Sequence, residues 1–247
     1  MSPILYLHGF SGGIWEAEAL KKRWVLPVYG VAMPGHSGQQ EDERFDFDEA
    51  VVRVVQSAGK VDGGVNLVGY SMGARVGLAA ILRAPELFQK AVLVGVRPGV
   101  EETQERSQRV ALDESRARRL EDLGVEEFMD GWEKLPVIAS QAGIAAEVRE
   151  EMRRVRRGHW GPGLAASLRE MGPGAMPSLW SKLAALEVPT LLVTGENDLV
   201  FKAIAQKMVQ YAPCLHHACI ADAGHCAHWE QPELFRRLLL GFLEPSL

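Results

Sequence analysis

Between Gly69 and Gly73 the sequence reads "GYSMG", a serine held between two glycines. A serine hydroxyl is a weak nucleophile or base until a histidine takes its proton, and that histidine needs a carboxylate to fix its tautomer. Two later stretches offer both partners. "LLVTGENDLVF" carries Asp198, with Glu196 as a rival two residues earlier, and "ACIADAGHCAHWEQP" carries His225, with His228 as its competitor. Ser71, Asp198 and His225, in that chain order, are expected to form a proton-transfer triad. The plainer readings are a glycine-rich turn at 69–73, a helix cap at Asp198 and a loop histidine at His225.

Three residues so far apart in the chain meet only if regular elements carry them to one place. Short, nearly continuous apolar runs recur at 3–8, 24–31, 65–70, 90–95, 189–195 and 215–221, as expected of strands covered on both faces. Helix-like segments at 48–58, 73–84 and 203–211 separate them. Strand and helix in alternation predict an α/β fold with about six parallel strands and helices on both faces. Ser71, Asp198 and His225 each follow the C-terminal end of a predicted strand, the edge where open α/β sheets build their sites. The helix after Ser71 also points its free N–H groups at that edge.

The alternation stops after Gly95. Amphipathic, arginine-rich helical stretches at 103–121, 125–134, 145–157 and 163–171 follow, with no strand among them. The expected organisation is therefore a core in two parts, 1–95 and 188–247, with a helical lid insert at 96–187. Twelve of the 19 arginines fall between residues 97 and 187. Most, including Arg116, Arg118 and Arg119, are expected on solvated faces paired with nearby Asp and Glu. Arg75 differs, because it lies on the first turn of the helix after Ser71, where an unpaired cation would be costly. A ligand carboxylate or a fixed acidic partner is expected beside it.

Composition narrows the function classes. The 247 residues carry a formal charge of −5, which disfavours nucleic acid as a partner. No apolar run nears the about 20 residues of a transmembrane helix, and no signal peptide is expected from "MSPILYLHGF". Three cysteines, Cys214, Cys219 and Cys226, without zinc-type spacing suggest reduced thiols and a cytoplasmic protein. No metal cluster or dinucleotide fingerprint is present in the pattern, so no cofactor is expected. The oligomeric state is left open.

With "LHGFSG" at 7–12, "GYSMG" and the triad, the whole chain resembles the α/β-hydrolase fold. A narrower resemblance lies in "GYSMGAR", "DGWEKLPVIASQ" at 130–141, "LAASLREMGPGAMPSLW" at 164–180 and "GENDLVFKAIAQ" at 195–206. These are similar to the SHCHC synthases, the MenH family of menaquinone biosynthesis. The resemblance implies elimination of pyruvate from 2-succinyl-5-enolpyruvyl-6-hydroxy-3-cyclohexene-1-carboxylate, a small tricarboxylate, with Ser71 as the base. It implies an oxyanion hole from the backbone of Phe10 and Met72, and substrate contacts from Tyr70, Arg75, Arg109, Trp132 and Arg156. His8 is expected to hold the loop that follows it, and "MPGHSGQ" at 33–39 to form a turn near the site. Pro173, Met176 and Val200 depart from the family pattern. The other enzymatic reading is a serine hydrolase acting through an acyl-enzyme, and a non-catalytic binding protein is the reading outside enzymes.

Overall fold

The computed structural model describes residues 2–36 and 46–244. Six parallel strands form one sheet in the order β2-β1-β3-β4-β5-β6. They are β1 (Ile4–Leu7), β2 (Val28–Val31), β3 (Val65–Tyr70), β4 (Phe88–Val94), β5 (Thr190–Gly195) and β6 (Leu215–Ile220). All residues of β1, β3 and β5 are buried, as their continuous apolar character requires, whereas β2 and β6 at the two edges bury their end residues and leave their middle residues exposed or half-buried.

Helices close both faces of the sheet. On one side lie α2 (Phe47–Ala58) and α3 (Met72–Arg83). Asp46 caps α2 by accepting the Glu49 N–H at 2.8 Å, and Phe47, Ala50, Val51, Val54 and Ala58 give it one apolar face. On the other side α1 (Trp15–Trp24) and α10 (Pro232–Leu243) bury Leu20, Trp24, Phe235 and Leu239.

The run at 24–31 divides differently from the strand expected there. Trp24 ends α1, in helical phase with the buried Ala17 and Leu20, and Val25 closes that helix in the left-handed region at φ 57°. Only Val28–Val31 pairs with β1. The helix expected at 203–211 instead begins directly after Asp198, as α8 (Leu199–Met208).

Between β4 and β5 the regular elements are all helical: α4 (Thr103–Trp132), α5 (Pro136–Ala139), a 3₁₀ turn (Ser140–Gly143), α6 (Ala146–Arg157), α7 (Gly161–Glu170) and a second 3₁₀ turn (Trp180–Ala185). Gly124, at φ 77° and ψ 167°, breaks α4 into two limbs. Ala117, Leu120, Phe128 and Met129 of α4 pack on Leu164, Ala165 and Leu168 of α7, giving this segment a small core of its own.

Candidate active site

Ser71 sits where β3 turns into α3, with φ 50° and ψ −106°, a conformation few non-glycine residues adopt. Its N–H is fixed by the carbonyl of Val94 at 2.8 Å, and its own carbonyl accepts the Arg75 N–H at 3.1 Å to start the helix. The flanking glycines are steric necessities. A Cβ on Gly69 would lie 2.8 Å from Ala74 Cα, and one on Gly73 would collide with the backbone carbonyls of Leu7 and His8. Because those carbonyls belong to β1 and its loop, they cannot move aside. Gly73→Ala should therefore cost about 3 kcal/mol of stability, measured by urea unfolding.

The three separated residues meet. His225 Nε2 is 2.9 Å from Ser71 Oγ, and His225 Nδ1 is 2.6 Å from Asp198 Oδ2, with both carboxylate and ring nearly withdrawn from solvent. In this arrangement Nδ1–H donates to Asp198 and Nε2 accepts the serine proton. Asp198 precedes α8 at the cap position but makes no cap hydrogen bond; its carboxylate is turned to the histidine. The rivals go elsewhere: Glu196 accepts the Asp222 N–H, and the fully buried His228 meets the Tyr6 hydroxyl at 3.0 Å. Gly95 makes room for the imidazole, since a Cβ there would lie 2.5 Å from His225 Cε1.

Beside the triad is a cavity of about 490 Å³, within the range typical of small-molecule sites. Phe10 and Met72 line it, and among the described residues neither backbone N–H has an acceptor. Two free donors beside an activated serine can stabilise an oxyanion.

Four arginines also line this cavity: Arg75, Arg97, Arg109 and Arg116. Arg75 is 8% exposed. Its Nη1 donates to the Met171 carbonyl at 2.5 Å and lies 3.6 Å from Met176 Sδ; among the described residues no carboxylate pairs with it. Burial, and then the charge of Arg109, lower its pKa to about 9, so it remains a cation at neutral pH. Arg109 forks onto Asp113 at 2.8 and 3.0 Å, and Arg116 reaches the same carboxylate at 3.2 Å. Arg116 therefore departs from the solvated face expected for it; it also lies over the Trp132 ring at 5.4 Å. The spacing 109, 113, 116 puts all three on one helix face, a legible signal. Arg118, by contrast, is exposed and pairs with Glu114. Arg97, which no sequence motif singles out, reaches Glu105 with one terminal nitrogen, while its Nε is buried without a partner among the described residues. Trp132 Nε1, also at the cavity wall, is likewise buried and has no partner among the described residues.

Tyr70 and Arg156 fall outside this cavity. They line a much smaller one, about 20 Å³, together with Glu16, Gln141 and Cys226. Arg156 donates to Gln141 Oε1 at 2.6 Å, and Gln141 in turn reaches the Tyr70 hydroxyl at 3.4 Å. Pro173 and Val200 line the large cavity, and Met176 touches Arg75, so the three departures from the family pattern all bear on the site.

His8 anchors the loop that carries Phe10. Its Nδ1–H donates to the Gly9 carbonyl at 2.9 Å and its Nε2 accepts the Met33 N–H at 3.3 Å. Pro34–His36 turn beside it, while 37–39 of the "MPGHSGQ" stretch lie outside the described residues. Burial lowers the pKa of His8 to about 4 and that of His228 to about 3. An unfolded chain takes up those protons below about 6.5, while the native state refuses them until far lower pH. Stability is thus complete above about pH 6.5 and falls as pH drops toward 4, each histidine contributing up to ~1.4 kcal/mol per pH unit. Urea midpoints at stepped pH should show this slope, and His8→Asn should flatten it.

The fold and this arrangement define a class: residues 4–238 match the model of the alpha/beta hydrolase family, to which the chain belongs. Within it, the chain is 32% identical over 234 residues to the 2-succinyl-6-hydroxy-2,4-cyclohexadiene-1-carboxylate synthase of Salmonella agona (strain SL483), covering 93% of this chain and 88% of that protein. It is 37% identical over 179 residues to a relative from Bacillus subtilis (strain 168), an alignment spanning 72% of this chain and 65% of the relative's length. The solved structure of MenH from S. aureus superposes with a TM-score of 0.92 at 32% identity, covering 98% of this chain and 93% of that one.

Proposed function

We propose that this chain is a lyase that eliminates pyruvate from 2-succinyl-5-enolpyruvyl-6-hydroxy-3-cyclohexene-1-carboxylate, giving 2-succinyl-6-hydroxy-2,4-cyclohexadiene-1-carboxylate. The observation that carries it is a cavity in which a histidine-activated serine and the N–H groups of Phe10 and Met72 face a buried arginine that has no carboxylate partner among the described residues. An ordinary ester pocket has no use for that cation, whereas a substrate with three carboxylates does.

The reaction follows from the two ring systems. The ring double bond of the substrate lies at C3–C4, and those of the product lie at C2–C3 and C4–C5. The hydrogen lost is therefore on C2, next to the succinyl ketone, and the group lost is the enolpyruvyl oxygen on C5. Ser71 takes the C2 proton as its own proton passes to His225 Nε2, and Asp198 stabilises the imidazolium. Charge developing on the ketone oxygen is met by the N–H groups of Phe10 and Met72. The electrons then shift through C3 and C4, the C5–O bond breaks, and the departing enolpyruvate regains a proton and ketonises to pyruvate. No acyl-enzyme forms and no water is consumed. Arg75, Arg97, Arg109, Arg116 and Trp132 bind the substrate carboxylates. The family assignment of Tyr70 and Arg156 is kept as a second ring of contacts behind Ser71, through Gln141. Residues 96–187 act as a lid over a core of 1–95 and 188–247. We place the enzyme in the cytoplasm, in keeping with its three free cysteines.

Purified protein mixed with freshly generated substrate should release pyruvate, read by a lactate dehydrogenase couple. A near-ultraviolet absorbance from the new dienone should rise in one-to-one proportion. Turnover of a simple aryl ester with no pyruvate release would instead assign a hydrolase.

A further inference from the structure

We propose that Glu230 is a positioning residue for His225, and that Ser140 acts through it to tie the triad to the helical segment between β4 and β5. The inference rests on the Ser71–His225–Asp198 reading above. Glu230 ends α9 (Ala227–Glu230), five residues beyond the histidine. Its Oε2 accepts the Gly224 N–H at 2.6 Å and its Oε1 accepts the Cys226 N–H at 3.0 Å. These are the two residues on either side of His225. The Glu230 N–H returns to the Cys226 carbonyl at 3.0 Å, so the loop is closed by side chain and backbone together.

A third donor comes from the other part of the chain. Ser140 Oγ donates to Glu230 Oε1 at 2.9 Å. The next residue, Gln141, reaches the Tyr70 hydroxyl, and Tyr70 precedes Ser71. One short turn thus touches the neighbours of both the serine and the histidine. It also sits directly on the histidine loop, since a Cβ on Gly224 would lie 2.6 Å from Ser140 Cβ.

Only a carboxylate suits three converging donors. It accepts at both oxygens, whereas a glutamine would turn an N–H₂ toward one of the backbone N–H groups. An aspartate is one methylene shorter. Loss of the clamp should leave the histidine present but free to drift from its 2.9 Å approach to Ser71.

Glu230→Gln should lower kcat roughly tenfold or more with KM unchanged within about twofold, since misplacement acts on the chemical step. The Nδ1–H resonance of His225, shared with Asp198, should broaden in the same variant, which a purely structural role would not cause. Ser140→Ala should have a smaller effect of the same kind, and Ser140→Ala/Glu230→Gln should be no worse than Glu230→Gln. Wild-type kcat in Glu230→Gln, or a double variant whose loss is the product of the single losses, would overturn the proposal. Phosphonylation of Ser71 by a fluorophosphonate probe is the second readout. It needs an aligned histidine but no natural substrate, so the same order of rates is expected even if the wild type releases no pyruvate. Should Glu230→Gln not fold, Ser140→Ala alone decides: slower phosphonylation supports the coupling and an unchanged rate removes it.

Discussion

Ser71→Ala should reduce pyruvate release by about 10³-fold or more while leaving substrate binding and fold in place. The size follows from what the hydroxyl does. It touches His225 Nε2 at 2.9 Å, and Ser71 lines the same cavity as Phe10 and Met72. His225 is fixed by Asp198 at Nδ1 and turns Nε2 to the serine, so it receives the proton that Ser71 gives up. The fold should tolerate the change, because Ser71 is tied into β4 and α3 by its backbone, through the Val94 carbonyl and the Arg75 N–H. Kinetics and melting temperature measured on one preparation check both halves. A variant that retained most of its activity would show that another group is the base. An aryl ester offered to the wild type and the variant separates the two enzymatic readings, since an acyl-enzyme also needs Ser71 but releases no pyruvate.

The second large effect is expected at Arg75, and with opposite signs in function and stability. Arg75→Met should cut kcat/KM by roughly 10²–10³, the loss of one bidentate, charge-assisted carboxylate contact of ~3–4 kcal/mol. The same variant should unfold at a higher urea concentration. Arg75 is a buried cation that donates to the Met171 carbonyl and has no carboxylate partner among the described residues, and it stands near the positive charge of Arg109. Replacing it by an apolar chain of similar reach removes a desolvation cost that one carbonyl hydrogen bond does not offset, by ~1–2 kcal/mol. A tricarboxylate such as citrate should raise the melting temperature of the wild type more than that of the variant. Equal loss of stability and activity would mean that Arg75 is held by the protein for its own sake.

The parts of this site that could be read from the sequence are those written in local spacing. The strand before Ser71, the two glycines around it and the helix after it lie within one short stretch, and their steric demands act between near neighbours or against β1. The strand leading to Asp198 was legible for a related reason, since burial on both faces leaves a continuous apolar run, whereas the edge strand leading to His225 buries only its end residues Leu215 and Ile220. The run at 24–31 misled because Trp24 is as apolar on a helix face as it would be in a strand. Arg116 was misplaced although its phase with Arg109 and Asp113 was visible, because its charge suggested solvent.

By itself, then, the sequence determined the α/β class, the order of strands and helices, and the elbow that presents Ser71, all consequences of periodicity and short-range sterics. It also pointed to Asp198 and His225 as the partners of the serine, and tertiary structure shows where their rivals go, Glu196 to the Asp222 N–H and His228 to the Tyr6 hydroxyl. Tertiary structure alone decided that Arg97 enters the large cavity while Arg156 turns to Gln141, and that Glu230 clasps the loop around His225. Those choices depend on where distant helices dock and which face each presents. A side chain's direction is fixed by packing across the sheet edge, and residue type does not encode it.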